Sequence, residues 1–334
     1  VRAAHALRLF ARRAFRTVRL AISVEGYAPF AVAMDRVSDE GAAEGGDDGH
    51  DHVFPAVTTA PSDTATVVFT SGSTGAPKGV TWTHGNLQGQ RAIYRDLFAF
   101  GEDAIDLVTF PVFAIPALSL GNTCVLPWMD FSRPGDVDPL RIAEAISAHA
   151  PTHSFGSPAL WKRVVAYASP RAAQFPSLRL VATGGTAVAP SLLAGMQAIF
   201  PNAVVSTPYG ATEALPVTYV TADVLRASEA RTLEGQGTCL GTAAPSVDVR
   251  VVAFATGDDA VRASPLPAGE IGEIAVSGPI VTEAYFARED LTAKAKFRDQ
   301  GRLWHRMGDA GYLDARGLLL VLRARATPHR ARRN

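Results

Sequence analysis

Ten residues, Thr70–Gly79, read TSGSTGAPKG and follow directly on the short apolar, β-branched run Ala65–Thr70. Hydroxyls come from Thr70, Ser71, Ser73 and Thr74, close backbone approach from Gly72 and Gly75, and a cation from Lys78. That mixture suits a polyphosphate, because amides and hydroxyls donate hydrogen bonds to phosphate oxygens while the ammonium offsets their charge. The string is not a Walker A loop. Counted from Gly72, Pro77 stands where the second glycine belongs, and Lys78 is followed by Gly79 rather than the Ser or Thr that would meet magnesium. The bland alternative is a Ser/Gly linker, but linkers rarely follow a strand or carry Pro-Lys-Gly.

Further along the chain, Thr183-Gly184-Gly185-Thr186 follows a second buried strand, and Tyr209-Gly210-Ala211-Thr212-Glu213 adds an aromatic ring, a hydroxyl and a carboxylate. A hard divalent cation prefers carboxylate oxygen and bridges phosphate charge, so Glu213 is the candidate metal ligand. Gly272–Pro279 reads GEIAVSGP, and His305–Asp309 reads HRMGD. Each of these strings is weak alone. Taken in this order they resemble the signature motifs of the adenylate-forming enzymes, the superfamily of acyl-CoA synthetases, peptide-synthetase adenylation domains and luciferases, over roughly residues 15–315.

The resemblance implies ATP and Mg²⁺ as cofactors and assigns roles by position. Lys78, Thr212 and Glu213 would be the catalytic set, and Thr70, Ser71, Gly72, Ser73, Thr74, Gly75 and Lys78 the phosphate-binding set. Gly184, Gly185, Thr186, Tyr209 and Gly210 would line the adenine, and Asp309 would hold the ribose hydroxyls. Met307 replaces the family's usual threonine two residues before that aspartate. The implied reaction is attack of a carboxylate on the α-phosphorus of MgATP with release of pyrophosphate, leaving an acyl adenylate. One preorganised donor in such a site is worth about 10²–10³ in rate.

The elements that must position these residues alternate. Asn86–Phe100, Pro139–His149, Ser157–Tyr167 and Pro190–Phe200 have helical spacing, and Ser157-Pro158 supplies an N-cap and first-turn pair. The run Leu178–Thr183 is an expected buried strand. Alternation of this kind predicts an α/β fold, a mostly parallel sheet covered by helices. From about residue 235 the expected strands Val247–Phe254 and Glu270–Ser277 alternate with turns, which predicts a smaller β-rich subdomain. The expected organisation is therefore an AMP-binding α/β core over residues 1–234, a β-rich subdomain over 235–317 and an aberrant basic tail over 318–334.

Near the N-terminus, five arginines among residues 7–19 could pass for an organelle transit peptide, but a basic surface helix leading into a strand Thr17–Val24 is the preferred reading. Residues 38–52, rich in Gly and Asp, read as a mobile loop. A metal held by Asp47, Asp48, His50, Asp51 and His52 is the less favoured alternative there, since nothing hydrophobic nearby would rigidify a site.

The chain has 334 residues, 32 Lys+Arg against 32 Asp+Glu, and only two cysteines, Cys124 and Cys239. Zero net charge offers no reason to expect nucleic acid as a partner. The cysteines are too few for a disulfide framework, which fits a reducing cytoplasm. No apolar run reaches the length of a membrane span.

For the acid, Phe113 and Ala114 stand where the family usually carries a histidine-bearing pocket segment, and Phe155 and Gly156 at a second pocket position. These point to a long apolar chain rather than an amino acid, whose amino group would want an acidic partner. With Pro127–Pro134 (PWMDFSRP), they resemble the olefin-pathway β-lactone synthetases. That subfamily activates a long-chain β-hydroxy acid and lets its own hydroxyl attack, so association with other hydrocarbon-pathway enzymes is possible. A long-chain acyl-CoA ligase and a nucleotide-binding pseudoenzyme are the alternatives. The family continues past its ribose aspartate into a C-terminal lid that contributes a lysine, whereas only residues 310–334 follow Asp309 here. The expectation is a break in the family pattern after Gly317 and weak turnover by this chain alone.

Overall fold

Short runs of β-branched and apolar residues pair into a twelve-stranded sheet that carries most of the described chain. The computed structural model describes residue 13 and residues 22–23, 31–44, 57–70, 77–254 and 264–322. The chain divides into two units, residues 1–58 and 59–334.

In the first unit, strands β1 (Ile22–Ser23) and β2 (Val32–Ala33) pair in parallel and lead into helix α1 (Met34–Glu44). The expected basic helix before β1 lies outside the described residues, apart from Arg13. The expected mobile loop over 38–52 is corrected in its first half, because residues 38–44 are helical. Asp35 sits in the first turn, where a negative charge favours a helix start, and Glu40, Ala42, Ala43 and Glu44 are strong helix formers. These outweigh the single Gly41. Residues 45–52 lie outside the described residues.

The second unit opens with an antiparallel hairpin, β3 (Thr64–Thr70) and β4 (Lys78–Thr83), followed by α2 (His84–Leu97). A reciprocal capping box starts that helix, with Thr83 and Asn86 each accepting from the other's backbone N–H. Strands β5 (Ile105–Val108), β6 (Thr123–Val125), β7 (His153–Gly156), β8 (Leu180–Thr183) and β9 (Val204–Ala211) then line up in parallel in the order β6-β5-β7-β8-β9. Between them run α3 (Ala114–Ser119), α4 (Pro139–His149), α5 (Pro158–Ala168) and α6 (Pro190–Ile199).

Caps explain where two of these helices begin. Asp138 accepts from the Leu140 N–H at 3.0 Å and Ser157 from the Leu160 N–H at 3.2 Å, each with proline at the next position. Ile142 and Ile146 of α4, Leu160, Trp161 and Val164 of α5, and Met196 and Ile199 of α6 pack with Leu107, Val181 and Val205 of the strands. On the other side, Ile93 of α2 shares a second core with Phe98, Phe100, Val217 and Ile274. The parallel half is thus the helix-covered sheet that the alternation predicts.

At β9 the sheet changes direction. Strands β10 (Ala214–Thr221), β11 (Thr238–Ala243), β12 (Asp248–Val252), β13 (Gly272–Ser277), β14 (Lys296–Asp299), β15 (Arg302–Leu313) and β16 (Leu319–Val321) are all antiparallel to their neighbours. Strands from both sides of residue 235 belong to this one sheet. The first residues of the expected tail over 318–334 join this sheet. Leu319 and Leu320 are fully buried, and β16 pairs with β11 on one side and β15 on the other. Their side chains satisfy a core position, and their backbone fills a gap in the sheet. Residues 323–334 lie outside the described residues.

Candidate active site

The hairpin β3–β4 ends with Thr70 opposite Lys78. Between them, Ser71, Gly72, Ser73, Thr74 and Gly75 of the expected phosphate loop lie outside the described residues. Its two anchors are in place. The Thr70 hydroxyl is buried without a hydrogen-bond partner among the described residues. Lys78 Nζ sits 4.9 Å from the centroid of the Tyr285 ring, a cation–π distance. Backbone bonds from Thr81 N to Ala284 O and from Phe286 N to Gly79 O tie β4 to the segment that carries Tyr285.

Tyr285 in turn reaches the second motif. Its hydroxyl donates to Glu213 Oε1 at 2.5 Å, while the Thr282 N–H and hydroxyl both donate to the Glu213 carbonyl. Trp82 of β4 donates its indole N–H to the Thr212 carbonyl at 2.8 Å. So the turn between β9 and β10, which carries Thr212 and Glu213, is fastened from two directions to the strand that carries Lys78. Lys296 completes this cluster, donating to Thr282 Oγ1 at 3.2 Å. Burial pushes its ammonium down to about 7, against the pull of Glu213 and Glu283. Neighbouring His305 is held well below the usual histidine range, by burial first and Lys296 next.

Glu213 is the one carboxylate of the expected metal site that these contacts present, and no hydrogen bond from a described residue reaches its Oε2. Among the described residues no group of three or more metal-ligating side chains occurs. One carboxylate fits magnesium nonetheless, because that ion keeps most of its waters and is held through one or two carboxylates together with substrate phosphates.

At the opposite side of the turn, the Tyr209 hydroxyl donates to Asp309 Oδ2 at 2.6 Å. Burial, then the Asp309 charge, keeps that hydroxyl protonated far above the usual phenol range. The two residues expected at the adenine and at the ribose are therefore joined, although 100 positions separate them.

Beside this arrangement lies a cavity of about 540 Å³, lined by Gly184, Gly185, Thr186, Gly210 and Thr212 at one end and by aromatic rings elsewhere. A volume of this order is that of a small-molecule site. Of the expected pocket residues, Phe113 and Phe155 line it with their rings 4.6 Å apart, edge to face. Ala114 and Gly156, the other two expected pocket residues, are not among its lining residues. Ala114 starts α3, and Gly156 backs onto Trp161, where a Cβ would lie 2.7 Å from the indole nitrogen.

Three residues of this neighbourhood escaped the sequence. Tyr285 meets Glu213, and Lys296 meets Thr282, only through tertiary contact. Asp106, on β5, lines the cavity at 5% exposure, and burial pushes its carboxyl up to about 7. An acidic group in the pocket, absent from the sequence reading, is thus present. Replacing Tyr285 by Phe is expected to lower stability by about 1.5–3 kcal/mol, the worth of a hydrogen bond to a charged group. Urea unfolding checks this, and an unchanged midpoint would mean that Glu213 finds another donor.

The chain is 40% identical over 301 residues to an olefin beta-lactone synthetase of Xanthomonas campestris pv. campestris, covering 86% of this chain and 51% of that protein. A long-chain-fatty-acid-CoA ligase of Archaeoglobus fulgidus superposes with a TM-score of 0.66 at 25% identity, over 82% of this chain and 54% of that one. ATP-bound MatB of Rhodopseudomonas palustris gives 0.64 at 25% identity, over 85% of this chain and 52% of that one. The chain spans about half the length of these relatives. Among the described residues no helix is long and apolar enough to cross a membrane. A family model described as AMP-binding enzyme matches residues 16–286, and the chain belongs to that family.

Proposed function

We propose that this chain binds MgATP together with a long, mainly apolar carboxylic acid and activates the acid as an acyl adenylate, releasing pyrophosphate. The observation that carries this reading is a shared wall. Gly184, Gly185, Thr186 and Thr212, expected beside the nucleotide, line the same cavity as Phe110, Phe113 and Phe155, which suit an acyl chain. A carboxylate whose chain lies against these rings would present its oxygen beside Thr212. Lys78, held by Tyr285, would offset charge on the phosphates, and Tyr209 with Asp309 would take the nucleoside. Magnesium arriving with the nucleotide would be held by Glu213 and would neutralise phosphate charge. The site residues orient both reactants, and proximity of this kind supplies much of an enzyme's rate advantage.

For the second step we favour intramolecular attack by a β-hydroxyl, giving a β-lactone. The similarity to olefin beta-lactone synthetase over 86% of this chain supports it. A fatty-acid–CoA ligase is the second reading, supported by the resemblance to the Archaeoglobus ligase. ATP–pyrophosphate exchange with long-chain acids, with and without a β-hydroxyl and with and without coenzyme A, separates the two.

MgATP titration is the direct test on this chain. Lys78→Ala is expected to weaken binding by tenfold or more, the effect of losing about 1.4 kcal/mol of charge pairing. Absence of MgATP binding by the unaltered chain would sink the proposal, as would exchange stimulated by amino acids alone.

A further inference from the structure

The cavity has two chemically different ends. Thr109 and Ser154, which line its middle, spend their hydroxyls on the carbonyls of Phe155 and Leu107, and Ser157 caps α5. Apart from Thr186 and Thr212 at the nucleotide end, two lining polar side chains remain, the Asp106 carboxyl and the Tyr94 hydroxyl. No described residue makes a hydrogen bond to either side chain. Asp106 is 5% exposed, flanked in the sheet by Cys124 and His153, and shares the cavity lining with Phe98, Phe100 and Leu180.

Strand register gives the depth of this pair. Asp106 is level with His153 on β7 and, through it, with Leu180 on β8. Gly184 lies four residues farther along the same strand direction, and at ~3.3 Å per residue that is ~13 Å. Asp106 therefore sits at the inner end of the cavity, well away from Thr212, where the carboxylate would react.

A methyl-terminated chain reaching this point would bury the carboxyl and the phenol with no partner for either, which is unfavourable for both. Asp106 and Tyr94 are near enough for the carboxylate charge to act on the phenol, so a chain hydroxyl placed between them would donate to Asp106 and accept from Tyr94. We propose that Asp106 and Tyr94 form a specificity site for a hydroxyl group carried far along the acyl chain, remote from the reacting carboxyl. This rests on the reading that the cavity takes the acyl chain.

The test is displacement of a fluorescent fatty-acid probe by long-chain acids bearing one hydroxyl at successive positions, compared with the unsubstituted acid. Affinity is expected to peak at one distal position and to exceed that of the unsubstituted acid by about tenfold or more, the effect of giving two buried polar groups a partner at once. Asp106→Leu is expected to abolish the peak and favour the unsubstituted acid. Tyr94→Phe and the near-isosteric Asp106→Asn, each expected to lower the peak, guard against a variant that fails to fold. Equal or better binding of the unsubstituted acid by the unaltered chain would overturn the specificity site while leaving the acyl cavity standing. Failure of every acid to displace the probe would overturn both.

Discussion

Asp106→Asn is expected to remove a pH dependence of folding stability worth roughly 4 kcal/mol, about three pKa units at 1.36 kcal/mol each. The carboxyl rises from 3.8 to about 7 because burial disfavours its charged form. The unfolded chain releases this proton near pH 4, whereas the folded protein keeps it to about pH 7. Across that window the folded state binds more protons, so stability falls as pH rises and levels off above about 7. Tyr94 and Cys124 feel the same charge, and their own protons are lost only at higher pH. His153, level with Asp106 on β7, is held below its usual range by burial. Lys296 has the opposite sign: stability gains as pH rises above about 7, since the unfolded chain then holds a proton that the buried lysine has lost. Subtracting the variant's urea-unfolding free energies from those of the unaltered chain at pH 5 and pH 8 isolates Asp106, and about 2.6 kcal/mol of the effect, roughly two of the three units, falls between these two pH values. Parallel curves would mean that the carboxyl is not penalised by burial.

Gly241→Ala should cost about 3–5 kcal/mol, combining left-handed backbone strain with an unavoidable clash. Gly241 has φ +81, and a Cβ built on it falls 1.9 Å from the Tyr219 carbonyl oxygen. That oxygen belongs to the paired backbone of β10, so it cannot swing aside as a side-chain tip could. Gly235 provides the control. Its φ is +80, yet a Cβ there meets nothing within 4 Å, so Gly235→Ala should show only the strain, about 1 kcal/mol. Equal denaturation midpoints for the two variants would show that β11 moves away from β10 without cost.

Helices α4 and α5 were legible because each combines a capping side chain, a proline at the first position and a regular apolar face. All three signals are local. Residues 38–44 show the reverse: Gly and Asp dominate the composition of the longer segment, and the local Ala/Glu propensity that decides for helix was outvoted. The motif residues Lys78, Glu213, Tyr209 and Asp309 stood out by type and order. Their joints did not, because Tyr285 meets Glu213 across 72 positions and Tyr209 meets Asp309 across 100. Asp106 was missed for another reason. A strand shows in its sequence that its residues alternate between faces, but which face borders a cavity depends on the order of the whole sheet. Among Ile105, Leu107 and Val108 one aspartate looks like a strand end until β7 and α2 are set beside it.

Strand β16 has a consequence for the way this chain is made. Its three residues, Leu319–Val321, fill the place between β11 and β15, and β11 is complete some eighty residues earlier. While a ribosome is still adding the intervening segment, the outer edge of β11 has unpaired amide and carbonyl groups, the kind of edge that recruits strands from other molecules. Synthesis that stalls short of residue 319 would leave that edge open, along with the matching edge of β15. Yield of soluble protein is therefore set late, by the arrival of a few leucines, and chaperone dependence should concentrate in that interval.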